Sequence, residues 1–201
     1  MKKIILIISL IAIGIGYAGV LNYYGKIVGT VNVQAPIFYA HSEEEYGYYL
    51  FKPNIPPDGS LKKEAGGVYN SRAGEYDTQI NSGWLFPQVS SWYPSKWTFY
   101  YETKIENANS AKLYAKIYKF DTNTNSKTLV TECPTSDPIT STSYVTITST
   151  CNVPSINLSS SERILVEIWA KVNINADTVG KVYLKIDDPS STNPTRIEIS
   201  T

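Results

Sequence analysis

Histidine and methionine occur once each in this chain, as His41 and Met1, and cysteine only twice, as Cys133 and Cys151. A nucleophile–histidine relay would rest entirely on His41, which stands in the polar run HSEEEYGYY and reads as part of a solvated loop. No histidine or further cysteine accompanies the cysteine pair, so a structural zinc site lacks ligands. Net charge is missing too: 18 basic and 18 acidic residues cancel. Nucleic-acid binding needs a basic face, as does a polybasic membrane-surface protein, and neither class fits this balance. There is no amphipathic stretch of three helical turns and no glycine-rich phosphate loop. Beyond Lys96, Gly180 is the sole glycine.

What is abundant is tyrosine, at 16 residues, with serine, threonine and asparagine throughout. Tyrosine and threonine favour pleated, half-exposed strands. With 201 residues, 42% hydrophobic and 18% charged, the chain is long enough for one domain with a true core.

The N-terminus opens with Lys2 and Lys3, then the uncharged run IILIISLIAIGIG, then Gly16-Tyr17-Ala18. A basic start, an apolar middle and a small-x-small site are the parts of a signal peptide, with the cut expected after Ala18. Counted on to Leu21, the apolar stretch reaches the ~18-residue lower edge of a spanning helix, so an uncleaved anchor is the alternative. Both readings place the remainder outside the cytoplasm, with membrane contact only through this segment. From Leu21 the odd positions read Leu21, Tyr23, Gly25, Ile27, Gly29, Val31 and Val33, while the even positions are mostly polar. That period of two predicts a strand with one buried face, ended by Pro36. It is either the first strand of its own domain or one that pairs with a neighbouring subunit.

Residues 37–96 read as irregular, rich in proline, glycine and tyrosine, with one short strand in EYGYYLF. After Lys96 strand-like segments follow in regular succession: 97–105, 111–120, 127–133, 143–151, 163–174, 180–187 and 195–200. Alternation is clearest in Ile164, Val166, Ile168, Ala170, Val172 and in Val182, Leu184, Ile186. Short strands separated by polar turns predict an all-β, antiparallel β-sandwich with its core in 97–201.

Cys133 and Cys151 each end an alternating run, and an exported chain would be expected to join them in a disulfide; the alternative is two unpaired core thiols. In DTNTNSKTLVTE, Asp121, Asn123, Asn125 and Glu132 match positions of a calcium loop. Ser126 stands where glycine is required and strands flank the segment, so a polar hairpin turn is the simpler reading. Trp84, Trp92 and Tyr93 cluster in GWLFPQVSSWYPSKW. They could stack on sugar rings, or they pack a loop over the sandwich end while Trp97 and Phe99 point inward. Trp169 shares its phase with Glu167 and Lys171, which puts it on the outer face or under a covering loop. Glu102, Glu167 and Glu198 lie on strands as ordinary solvated positions, so no catalytic pair is assigned and no cofactor is expected. Asn157-Leu158-Ser159 is a glycosylation sequon in a polar turn.

A signal peptide leading straight into YYGKIVGTVNV, ahead of a β-sandwich, resembles secreted archaeal surface proteins. It is also similar to TasA/camelysin-like filament subunits and archaeal bundling pili. The second half, WTFYYETKI to PTRIEI, resembles jelly-roll-like modules of archaeal cell-surface proteins. The resemblance implies assembly by donation of an N-terminal strand, and it carries no catalytic residues. The expectation is an extracellular structural protein of a filament, biofilm matrix or adhesive layer, pairing with identical subunits or other surface proteins. The alternative is a monomeric carbohydrate-binding or surface-layer attachment module, with glycans as partners.

Overall fold

Alternating side chains become strands wherever one phase can be buried, and here nearly every such segment is. The computed structural model describes residues 36–53, 62–188, 191 and 193–200. Leu21, Tyr23, Gly25, Ile27, Gly29, Val31 and Val33 lie outside the described residues. The first strands are β1 (Ile37–Glu45), β2 (Tyr48–Pro53), β3 (Lys62–Asn70), β4 (Gly74–Leu85) and β5 (Ser91–Trp92). The next are β6 (Ser95–Glu106), β7 (Ser110–Asp121), β8 (Ser126–Glu132), β9 (Val145–Val153) and β10 (Ile156–Asn157). The last are β11 (Glu162–Ile174), β12 (Thr178–Ile186) and β13 (Arg196–Ser200).

All seven strands expected after Lys96 are present, with ends displaced by a residue or two. In the stretch 37–96, expected to be irregular, the described residues form five strands, of which β1 to β4 belong to the large sheet and β5 pairs with β10. The reason lies in its side chains. The inner row of β4 runs through Tyr76 and Thr78 before reaching Ile80, and the only buried residue of β3 is Gly66. Polar and glycine residues thus occupy an inward phase that hydrophobic alternation would otherwise reveal. Between Ile80 and Trp84, β4 bulges, with Asn81 and Gly83 at φ 62° and 118°. The bulge keeps Ile80 and Trp84 facing the same side, opposite Ile168 and Val166 of β11. A Cβ on Gly83 would meet the Val166 carbonyl oxygen at 3.0 Å, so both backbone angle and space require glycine.

Pairing runs β3-β12-β6-β13-β1-β2-β4-β11-β7-β8, with β9 on the other edge of β6. β6 is the pivot. Its first half pairs with β13 through Lys96–Tyr100, its second half with β12 through Thr103–Glu106, and β9 follows Ser95–Thr103. The β2–β4 pairing is parallel and short; the other strand pairings among the described residues are antiparallel. The result is a β-sandwich of the jelly-roll kind, all within the unit Ala35–Thr201. Between its layers, Ile164, Val166, Ile168, Ala170, Val172 and Ile174 of β11 share one core with Trp97, Phe99, Tyr101 and Ile105 of β6 and Val182, Leu184 and Ile186 of β12.

Cys133 and Cys151 form a disulfide. Cys133 follows β8 and donates its N–H to the Ala115 carbonyl of β7, while Cys151 lies on β9 opposite Trp97 of β6. The bond therefore fastens the β7–β8 margin of one layer to the β9 margin of the other. Beside it, the segment after Cys133 continues along β7: Ser136 N–H donates to Leu113 O, and Ile139 and Ala111 exchange bonds.

Candidate functional site

The aromatic residues proposed for sugar stacking do not form a platform. Trp84 has no exposed surface and Trp92 is buried, while Tyr93 is 54% exposed. A ring without an open face cannot receive a sugar, so Trp84 and Trp92 are core residues. They belong to a layer of packed rings at one end of the sandwich. Phe86 stands at its centre, with centroid distances of 4.7 Å to Phe38, 5.0 Å to Phe51, 5.1 Å to Trp97 and 5.8 Å to Trp92. Trp97 and Phe99 point inward as expected, and the Trp97 indole N–H donates to Ser95 Oγ at 2.9 Å. The Trp84 Nε1 has no acceptor among the described residues.

The outer face of β11 and β7 carries a second set of rings. Trp169 is half-buried there, Lys116 Nζ lies 4.1 Å from its centroid, and its N–H donates to Glu167 Oε2 at 3.0 Å. Glu167 is itself buried and paired with Lys127. Burial, then the neighbouring Glu167 charge, pushes the Tyr118 phenol up to about 12. On β2, burial and then a hydrogen bond to Glu64 push Tyr49 up to about 12. Glu198, expected to be solvated, pairs with Arg196 at 2.9 Å and accepts from Tyr100 at 3.1 Å.

His41 is not in a solvated loop. It lies buried on β1, just before a register shift, with Nδ1 3.1 Å from Asp187 Oδ1. The run HSEEEYGYY forms the end of β1, a tight turn at Tyr46-Gly47 with φ 53° and 78°, and the start of β2. Near it, Lys185 Nζ sits 2.9 Å from Glu102 Oε1 and also contacts Asp188; Ser191 donates to Glu102 Oε2 at 2.7 Å. Burial works against the Lys185 ammonium, but hydrogen bonds to Asp188 and Glu102 outweigh it and raise its pKa. Only tertiary pairing makes this cluster, since its members come from β1, β6, β12 and the segment after β12.

The calcium-loop match does not close. Asp121 ends β7 opposite Ser126, whereas Glu132 ends β8 opposite Lys116. Five residues of strand separate those pairs, about 17 Å. Asp121 Oδ1 instead accepts the Asn123 N–H at 2.9 Å, and Asn125 has φ 55°. Asp121, Asn123 and Asn125 build a hairpin turn, and Glu132 lies 3.7 Å from Lys116. Asn157 is exposed on β10, which pairs with β5.

What the surface does offer is strand edge. β3 and β8 end the pairing order and β9 lies outside β6, each with one strand neighbour among the described residues. β3 is partly closed, because Thr78 Oγ1 donates to its Gly67 carbonyl at 3.2 Å. β8 and β9 flank the disulfide, and each pairs with only one strand among the described residues. Such edges accept an added strand through N–H and C=O groups that are otherwise hydrated.

Fold and cross-link together define a disulfide-stapled, all-β sandwich. No family model matches this chain and no curated protein matches it. Solved structures give distant likenesses. A CocE/NonD family hydrolase from Staphylococcus aureus is 9% identical with a TM-score of 0.42, covering 81% of this chain and 41% of that one. An α-amino acid ester hydrolase is 7% identical with a TM-score of 0.45, covering 83% and 36%. The CBM22-1–GH10 modules of a Clostridium thermocellum xylanase complexed with xylohexaose are 9% identical with a TM-score of 0.32, covering 71% and 25%. The chain spans less than half the length of each, and the likeness concerns the fold alone. Among the described residues no helix is long and apolar enough to cross a membrane.

Proposed function

We propose that this chain is an extracellular structural protein, a subunit of a surface filament, biofilm matrix or adhesive layer that assembles by β-strand pairing. The observation that carries this reading is the open strand edges beside the disulfide, on a domain preceded by the strand-patterned segment Leu21–Val33. In a neighbouring copy, Leu21, Tyr23, Ile27, Val31 and Val33 would bury their side chains as their backbone adds to an edge. Gly25 and Gly29 would admit close approach. Export agrees with the disulfide, which belongs to oxidising surroundings. The carbohydrate reading is weaker, because two of its three aromatic residues are core.

Electron microscopy of the purified protein, dilute and concentrated, is the test. Regular filaments are expected, and Ile27→Pro should abolish them while leaving the melting transition of the sandwich in place. Filaments that persist in Ile27→Pro would remove the N-terminal strand from the assembly.

A further inference from the structure

We propose that β9 is a self-complementary edge through which two copies of this chain pair, antiparallel and edge to edge. This does not rest on donation of the N-terminal strand.

Natural sheets blunt their edges with lysine, proline, bulges or short strands. The other open strands here are blunted. β3 carries Lys62, Lys63 and Glu64 and is tied to Thr78. β8 carries Lys127 and Glu132, and its pairing with β7 slips at Ile117 and Tyr118. β9 has none of these devices. Tyr144–Val153, YVTITSTCNV, contains no charge, proline or glycine, and its register with β6 runs unbroken from Val145 to Val153. Among the described residues β6 is its only strand neighbour.

The absence of charge points to a second copy as the partner. When a strand meets its own copy about a twofold axis, a lysine at the centre faces its copy and one beside the centre lies diagonal to it, and like charges that close repel. An uncharged strand of threonines meets no such penalty, and Thr–Thr pairs across strands are favourable. A register centred on Ser149 sets Thr148 against Thr150, Thr146 against Asn152 and Val145 against Val153 of the other copy. Thr146, Thr148, Thr150 and Asn152 are exposed, and Val145 is 37% exposed. Pairing would cover Val145 and satisfy the outward backbone groups of the strand.

Sedimentation of the full chain gives the test, with Ile27→Pro alongside so that filament growth does not mask the smaller species. The mass of two copies is expected for Ile27→Pro. Adding Thr148→Lys and Thr150→Lys sets lysine against lysine twice and should leave single copies. Adding Thr148→Lys and Thr150→Glu instead sets lysine against glutamate twice and should restore the pair. Because both variants carry two exposed substitutions, a general loss of folding would affect them alike. A two-copy mass that survives the double lysine variant overturns the proposal, as does a lysine–glutamate variant that stays single. If wild type pairs and Ile27→Pro alone does not, the edge belongs to the N-terminal segment and the proposal falls, while the strand-donation reading stands. If Ile27→Pro pairs yet still forms filaments, strand donation falls and β9 pairing stands.

Discussion

Two tryptophans show how individual residues settle into this core. Trp84 and Trp97 are equally buried, but only Trp97 has an acceptor for its indole N–H. A satisfied buried donor contributes about 1 kcal/mol, whereas an orphaned one is a standing cost. Trp97→Phe should therefore lower stability by about 1 kcal/mol more than Trp84→Phe, measured as the shift in urea unfolding. Equal losses would mean that Ser95 contributes nothing at Trp97. The tyrosines set the alkaline limit. Tyr49 and Tyr118 have pKa values near 12 in the folded chain, against an ordinary 10. The unfolded chain thus releases these protons first. Stability from this source is complete below pH 10 and is lost as pH rises through 12. The urea midpoint should fall across that window, and Tyr118→Phe should flatten the fall.

Elements differ in how visible they were. β11 and β12 declare themselves because one phase is aliphatic from Ile164 to Ile174 and from Val182 to Ile186, while the other is mostly charged, polar or aromatic. β3 and β4 do not, because a glycine, a threonine and a tyrosine stand at the inward positions. Their burial depends on the neighbour against which they lie, so no local pattern reports it. The disulfide is the element-level device that ties the layers. Replacing both Cys133 and Cys151 with serine should lower stability by about 3 kcal/mol by the loop-entropy estimate for a closure of this size. Urea unfolding of the double variant checks this, and an unchanged midpoint would mean that the β7–β9 margin holds without the bond.

At the scale of the whole molecule, the described pairings are mostly non-local, with β1–β2 and β7–β8 as hairpins. β6 meets β13, β12 and β9, and β1 meets the last strand of the chain. Assembly is argued at this scale too. The segment proposed as donor is marked in the sequence by its period of two, but the edges that could receive a strand are not, because an edge is defined by which strands are missing beside it. The sugar platform failed for the same reason: a tryptophan cluster reads alike whether its rings face solvent or Phe86. Composition argues against a basic nucleic-acid face, alternation marked the strands after Lys96, and paired alternating runs pointed to the disulfide, all of which are read without knowing the tertiary contacts. Tertiary structure alone decided that β1 to β4 belong to the large sheet, that His41 is buried against Asp187, that Glu132 is far from Asp121, and that β9 is an unguarded edge. Each depends on contacts between residues distant in sequence, where burial and pairing are properties of the assembled layers.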